Sequence, residues 1–261
     1  MKMVSAAKLR RAQDKMLSSR PYARQMDAVL RSLAARANPE AHPLLARRPE
    51  KKVELVVITA DKGLCGAFNT NILKAAQTFL LERRETTEGI HCVGRKARDF
   101  FRRRSVPIAR EYVDVFSKLN PDRAREIAAD LIARYTAKEL DAVYIVFNEF
   151  KSVIQQRVVV GRLLPIEREE FGEGETGEDY LYEPDARQLF EELLPRHIAV
   201  QIWHAMLESA AAEHGARMSA MEGATTNADE MIDSLTLFMN RVRQASITKE
   251  IIEVVSGAQA L

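Results

Sequence analysis

The sequence is poor in cysteine and tryptophan, with two cysteines and one tryptophan in 261 residues. Cys65 and Cys92 lack metal-ligand spacing, which excludes a disulfide-stapled fold and favours a reducing compartment. No apolar run reaches the roughly 18 residues that a membrane-spanning helix needs. The basic start, residues 1–11, is not followed by the apolar segment of a signal peptide. We therefore expect a protein that is neither membrane-inserted nor exported by itself.

Motifs for catalysis and for metal binding are also missing. The five histidines show no H-E-x-x-H or H-x-H grouping, and no G-x-S-x-G elbow is present. We therefore predict no catalytic residue, no metal and no cofactor. The histidines are His42, His91, His197, His204 and His214.

One loop, residues 61–66 (Asp-Lys-Gly-Leu-Cys-Gly), follows an apolar segment and opens a helical pattern. A doubly wound fold binds phosphate at such a place. The loop matches neither of the common phosphate-binding fingerprints, and no acidic residue follows the next strand. Two interpretations stay open: a nucleotide-binding α/β enzyme, or a tight turn whose glycines allow close packing.

Charge is distributed unevenly although the net charge is only +2. Residues 1–52 carry 13 Lys or Arg against 4 Asp or Glu, a balance of +9, whereas residues 167–192 carry 11 acids against two arginines, a balance of −9. The basic segment would be attracted to an acidic protein surface or to phosphates. A nucleic-acid-binding protein with a basic coiled-coil arm is therefore an alternative. Against it, Tyr22 is the only aromatic residue among the first 52.

Two helical stripes with alternating spacings of three and four residues lie at opposite ends of the chain, which is typical of a coiled-coil seam. The first stripe consists of Leu9, Ala12, Met16, Ser19, Ala23, Met26, Leu30, Leu33 and Ala37. The second consists of Met218, Met221, Thr225, Ala228, Ile232, Leu235, Met239 and Val242, continued by Ile247, Ile251, Val254, Ala258 and Leu261. We expect the two ends to pair antiparallel. The stripe lengths place the first helix opposite residues 213–250, with paired residue numbers that sum to about 250.

Between the stripes, helical and strand patterns alternate. Strands are predicted at residues 53–59, 90–93, 108–113, 143–147 and 155–166, and helices at 67–84, 96–104 and 122–137. The alternation predicts a mostly parallel sheet whose last strand is antiparallel. The fold class is α/β: a Rossmann-like domain, residues 51–185, between a coiled-coil helix and linker, 1–50, and a second coiled-coil helix, 186–261. Pro21 and Pro195 are expected to kink or break these helices.

Polar residues interrupt the second stripe near its end. Gln244 and Thr248 share a face with Ile251, and Arg243 and Glu250 lie on an adjacent face. Exposed helix decoration and contacts to a partner are both compatible with this spacing.

Five runs of residues resemble the gamma subunits of F-type ATP synthases, in order along the whole chain. They are residues 2–10 (KMVSAAKLR), 59–69 (TADKGLCGAFN), 179–185 (DYLYEPD), 213–221 (EHGARMSAM) and 247–258 (ITKEIIEVVSGA). The chain lacks the cysteine-bearing insertion of chloroplast forms, so the resemblance is to the bacterial type. Family members begin roughly 20 residues earlier, and those residues would be expected to pair with the tail beyond Glu250.

This resemblance implies a non-catalytic rotor for ATP synthesis coupled to hydrogen ion transport. Its coiled coil would stand in the bore of the alpha and beta hexamer, and its sheet domain would face the epsilon subunit and the c-subunit ring. It would be a peripheral protein at the cytoplasmic face of the bacterial inner membrane. By motif position, the expected coupling and subunit-contact residues are Met3, Lys8, Arg10, Arg11, Arg217, Arg243, Gln244, Thr248 and Glu250. The expected foot interface comprises Tyr180, Tyr182 and Asp185.

Overall fold

Two long helices flank an alternation of strands and helices. The computed structural model describes residues 1–36, 42–117, 119–166 and 186–259. Its helices are α1 (Lys2–Arg36), α2 (Phe68–Glu82), α3 (Arg95–Arg102), α4 (Pro121–Thr136) and α5 (Ala186–Gln259). Its strands are β1 (Val53–Ile58), β2 (Thr87–Val93), β3 (Ile108–Tyr112), β4 (Ala142–Phe150) and β5 (Gln156–Leu164). The predicted α/β class, with a central sheet and a long C-terminal helix, is confirmed.

The five strands form one sheet in the order β3-β2-β1-β4-β5. The pairs β1–β2, β1–β4 and β2–β3 are parallel, and β4–β5 is antiparallel, as predicted. A helix separates each pair of consecutive parallel strands, whereas no helix lies between β4 and β5. A short connection of this kind can only join antiparallel neighbours. We call residues 53–164, from β1 to β5, the sheet domain.

The sheet is covered on both faces. Every residue of β1 is buried, which is expected of a strand with helices above and below it. Val56 and Ile58 belong to the hydrophobic cluster that contains α4. Leu55 and Val57 belong to the cluster that contains α2 and α3. This alternation along one strand follows directly from the two-residue period of β structure.

Helix α1 packs antiparallel to α5. Leu9 and Met16 of α1 share a cluster with Leu207 and Ala216 of α5. Met26, further along α1, shares the other cluster with α5 residues that come earlier in the sequence, namely Leu194, Ile198 and Ile202. Because later residues of α1 pack with earlier residues of α5, the two helices are antiparallel.

The predicted register of this pair is wrong. Arg20 forms an ion pair with Glu208, whereas the prediction placed a residue near position 230 opposite it, about three heptads away. Helix α1 is therefore paired with an earlier part of α5 than residues 213–250. A slip by whole heptads keeps every apolar residue on the seam, so the apolar pattern could not detect it.

By their contacts, the residues divide into two compact units, 1–219 and 220–261. In the second unit, the described residues form the last part of α5, and the large apolar side chains from Met231 to Val255 are 48–72% exposed. The prediction that the stripe holds two helices together within this chain is therefore wrong for its part from Ile232 to Val242. The division into domains at residues 50 and 185 stays a prediction.

Neither proline inside a long helix ends it. Helix α1 continues through Pro21, and α5 continues through Pro195. Pro21 itself is exposed, so the backbone carbonyl that loses its donor is on a side open to water. Of the two predicted effects of Pro195, the break is wrong, and the kink stays a prediction.

Candidate functional site

The predicted contact residues at the start of the chain lie on the outer face of α1. Met3, Lys8, Arg10 and Arg11 are exposed, and Met3 is 87% exposed. Leu9, Ala12 and Met16 of the same helix face the other way, into the core. Helical periodicity thus gives α1 a basic face toward solvent.

Arg217 differs from the other predicted contact residues because its side chain is largely buried. Its Nε and Nη2 donate to the carbonyl oxygen of Gly63 at 3.3 and 3.2 Å. Nη2 also binds the carboxylate of Glu213, one helical turn earlier. The guanidinium therefore fastens α5 to the loop of residues 61–66.

Burial changes the proton affinities around Arg217. Burial raises the pKa of the Glu213 carboxyl, although the charge of Arg217 acts in the opposite direction. Burial, together with the positive charges of Arg217 and Lys8, lowers the pKa of His214 to about 4. Lys8 on α1 is thus electrostatically coupled to this part of α5, which brings together two of the predicted coupling residues.

Arg243, Gln244, Thr248 and Glu250 lie in the second unit, and all four are exposed. The Thr248 hydroxyl donates to the carbonyl oxygen of Gln244 at 2.8 Å, which confirms their position on one helix face. Large apolar side chains surround them on this helix, as Ile247 and Ile251 illustrate. Clusters of exposed large apolar side chains are typical of interaction surfaces. Tyr180, Tyr182 and Asp185 lie outside the described residues.

The loop of residues 61–66 uses its polar groups internally. The Asp61 carboxylate accepts hydrogen bonds from the backbone N–H groups of Arg95, Asp114 and Phe116 at 3.0, 2.9 and 3.3 Å. Arg95 is the first residue of α3, so the Asp61 carboxylate binds the N-terminus of that helix, whereas the loop itself leads into α2. This arrangement favours the interpretation as a tight structural turn.

Two residues that sequence reasoning did not select are central to the packing of α5. Glu208 and Arg20 form an ion pair in which the Glu208 side chain is only 2% exposed. The available signal was a carboxylate within an alanine-rich apolar stretch, residues 205–212, of a predicted helix. Charged residues are rarely buried unless they are paired.

The described ranges contain neither a metal site nor a helix that could span a membrane. No three His, Cys, Asp or Glu side chains there are grouped as metal ligands would be. No described helix combines the length and the apolar character needed to cross a bilayer.

The whole chain, residues 1–261, matches the family described as ATP synthase. It is 53% identical over 266 residues to the ATP synthase gamma chain of Anaeromyxobacter sp. (strain K), an alignment that covers 100% of this chain and 92% of that protein. It is 47% identical to the gamma chain of Trichlorobacter lovleyi, with 100% and 91% covered. The chain belongs to the ATP synthase gamma family. The predicted resemblance is thereby confirmed.

Chains in solved structures of ATP synthases share the fold of this chain. A chain of the central stalk and c-ring of Tetrahymena thermophila mitochondrial ATP synthase superposes with a TM-score of 0.67 at 26% identity, over 86% of this chain and 97% of that one. A chain from the Euglena gracilis mitochondrial ATP synthase, at 18% identity and a TM-score of 0.59, covers 99% of this chain and 91% of that one, and shares the fold.

Proposed function

We propose that the chain is the rotating central-stalk subunit of a proton-translocating F-type ATP synthase. In this role it couples rotation of the c-subunit ring to conformational change at the catalytic beta subunits. The observation that carries the proposal is the exposed apolar and polar surface of residues 220–258 in a chain of the gamma family. The chain itself is not catalytic, because ATP is made or hydrolysed at the beta subunits of the complex.

Coupling requires that the rotor contact each catalytic subunit differently at each angle. A ligand or partner shifts a conformational equilibrium only by its differential affinity for the states. An exposed helix whose faces carry different groups provides such differences. We assign these contacts to Arg243 and Glu250 on one face of the helix and to Gln244 and Thr248 on the adjacent face.

The basic face of α1 supports a second set of contacts. Lys8, Arg10 and Arg11 would face acidic loops of the beta subunits, with Met3 beside them. Exposed charges of this kind act over about 10 Å at moderate salt. Arg217 contributes to these contacts indirectly, because it donates a hydrogen bond to Gly63 and its charge, like that of Lys8, acts on His214.

The remaining assignments concern the foot and the location. We assign Tyr180, Tyr182 and Asp185 to contacts with the epsilon subunit and the c-subunit ring. The chain would be a peripheral protein at the cytoplasmic face of the bacterial inner membrane, attached through the complex and without a cofactor of its own.

Copurification with alpha and beta subunits of a bacterial relative tests the proposal. We expect a stoichiometric complex with the alpha and beta hexamer, and no ATP turnover by this chain alone. Failure to assemble, or ATP hydrolysis by the isolated chain, would overturn the proposed function.

Alanine substitution tests the assigned contact residues. Thr248→Ala and Glu250→Ala should leave the helix content of the chain unchanged, because both side chains are exposed, and should lower ATP synthesis in membrane vesicles. Lys249→Gln is the matched control: Lys249 is also exposed, and its ion pair with Glu253 lies within the helix. Equal synthesis by all three variants would contradict the assignment of Thr248 and Glu250.

A further inference from the structure

Strand β4 extends beyond the end of β1, so among the described residues one side of β4 has no neighbouring strand there. The last paired residues of these strands are Val57 and Val146, but β4 continues to Phe150. On its other side β4 remains paired with β5 up to Phe150 and Gln156. Beyond Val146, the backbone groups that face β1's side of the sheet therefore need partners from elsewhere. Buried backbone donors that lack a partner are costly, so such groups are nearly always satisfied.

Helix α5 supplies the missing acceptors from two consecutive residues. The Ser209 hydroxyl accepts from the backbone N–H of Asn148 at 3.3 Å. The Oε2 atom of Glu208 accepts from the N–H of Phe150 at 2.9 Å. Consecutive residues project about 100° apart around a helix. Two hydrogen bonds from such positions oppose rotation of the helix about its own axis.

The second oxygen of Glu208 binds the other long helix. Arg20 of α1 donates to Oε1 from Nε at 3.2 Å and from Nη2 at 2.9 Å. His204 Nε2 lies 3.5 Å from the same oxygen. One carboxylate thus joins α1, α5 and the end of β4. We call Arg20, Asn148, Phe150, Glu208 and Ser209 the polar junction.

The energetics indicate what the polar junction contributes. A buried ion pair gains little net stability, because desolvation offsets most of the attraction. The ion pair instead fixes the orientation of the helices it joins, since hydrogen bonds depend on angle whereas apolar contacts do not. The alanines beside it on α5, Ala210, Ala211 and Ala212, are buried but present a smooth surface. They would allow α5 to turn or slide.

We propose that Glu208, held by Arg20, is the positioning residue that fixes the rotational setting of α5 on the sheet domain. When the chain works as a rotor, part of the torque crosses from the sheet domain to α5 through this carboxylate, beside the contact of Arg217 with Gly63. The second statement rests on the proposed function, and the first does not.

The positional statement is tested on the full chain alone. Spin labels are attached at Leu81→Cys on α2 and Ser219→Cys on α5, both exposed positions, while Cys65 and Cys92 are buried. We expect Glu208→Gln to broaden the distance distribution between the labels about twofold, because α5 would then adopt several rotational settings on the sheet domain instead of one. Arg20→Lys keeps the charge but loses the forked contact, so it should broaden the distribution less.

Glu149→Gln is the matched control for these variants. Glu149 is next to Phe150, and its substitution removes ion pairs with Lys151 and Arg157, but its side chain is 23% exposed. It should leave the distribution unchanged. A distribution of Glu208→Gln as narrow as that of Glu149→Gln would overturn the proposal. If Glu208→Gln fails to fold, Arg20→Lys decides the question by the same comparison.

Torque is tested in the assembled complex with a probe on the sheet domain. Glu208→Gln should lower the stall torque about twofold and leave the unloaded ATP hydrolysis rate unchanged, since the contacts to catalytic subunits are intact. An unchanged stall torque would overturn the torque assignment. If the wild-type chain does not assemble with alpha and beta subunits, the proposed function fails, whereas the spin-label comparison still decides the role of Glu208.

Discussion

The guanidinium of Arg217 donates two hydrogen bonds to the carbonyl oxygen of Gly63, across 154 residues of sequence. The same side chain neutralises Glu213, which is only 5% exposed. A residue assigned to coupling is thus also a structural link between α5 and the loop after β1. Substitution of Arg217 will therefore affect stability as well as any coupling.

Arg217→Gln should destabilise the chain by about 3 kcal/mol, because it leaves Glu213 buried without its counter-charge. Arg125→Gln is the control: Arg125 forms an exposed ion pair with Asp122, and exposed pairs contribute less than about 1 kcal/mol. Urea unfolding of both variants gives the comparison. Equal stability of the two variants would show that the Arg217 contacts are unimportant for the fold.

The buried Glu54 predicts a specific sensitivity to acid. Its carboxylate binds His91 Nε2 at 2.7 Å and Arg134 Nη2 at 2.6 Å. Burial alone would raise its pKa, but the hydrogen bonds and charges of His91 and Arg134 outweigh burial and lower the pKa below its usual value. A carboxyl with a lowered pKa in the folded state stabilises the fold above the unfolded pKa and loses that contribution as the pH falls through the folded value.

Glu54→Gln should therefore cost about 3 kcal/mol at pH 7, and this difference from wild type should shrink as the pH falls below about 4.5. Urea unfolding at several pH values between 3 and 7 measures it. A difference that is the same at both ends of this range would contradict the assigned role of the charged form.

His214 should remain neutral far below the usual range for histidine. Its pKa of about 4, caused by burial and then by Arg217 and Lys8, predicts ring NMR shifts that stay constant from pH 8 to about pH 5. Because the folded pKa is lowered, stability should fall as the pH drops from about 6.5 toward 4. The same histidine in urea-unfolded chain is the reference. A titration midpoint near 6.5 in the folded chain would refute this expectation.

Two glycines predict opposite effects of the same substitution. Gly94 has φ of +101°, and a Cβ there would lie 2.1 Å from the carbonyl oxygen of Thr59. Gly94→Ala should therefore destabilise the chain by more than about 4 kcal/mol. Gly223 lies within α5 with nothing within 4 Å of an added Cβ, so Gly223→Ala should raise helix stability by about 0.5–1 kcal/mol. Thermal unfolding that ranks the two variants in the reverse order would contradict this reasoning.

The sheet domain was predictable because each of its segments carries its own signal. β1 is apolar at every position except Glu54 and is buried throughout, which is typical of a strand that is covered on both faces. The short connection between β4 and β5 predicted the antiparallel edge. Prediction of Gln155–Ile166 as a strand differs from the observed Gln156–Leu164 by only one or two residues at each end.

The register of α1 on α5 could not be predicted from the apolar stripes. Their heptad spacing is unchanged by a slip of seven residues, so several registers bury equivalent side chains. The Arg20–Glu208 pair removes this ambiguity, but only the fold reveals that the two charges meet. The candidate functional site was likewise predictable only in part. Sequence placed Gln244 and Thr248 on one helix face, whereas the buried position of Arg217 depends on Gly63, which is distant in sequence.

Rotation of the chain inside a catalytic hexamer tests the central claim most directly. The complex of this chain with alpha and beta subunits is fixed to a surface through the hexamer, and a probe is attached to the sheet domain. During ATP hydrolysis we expect the probe to turn in one direction. A complex that hydrolyses ATP while a firmly attached probe stays still would contradict the assignment of this chain as the rotor.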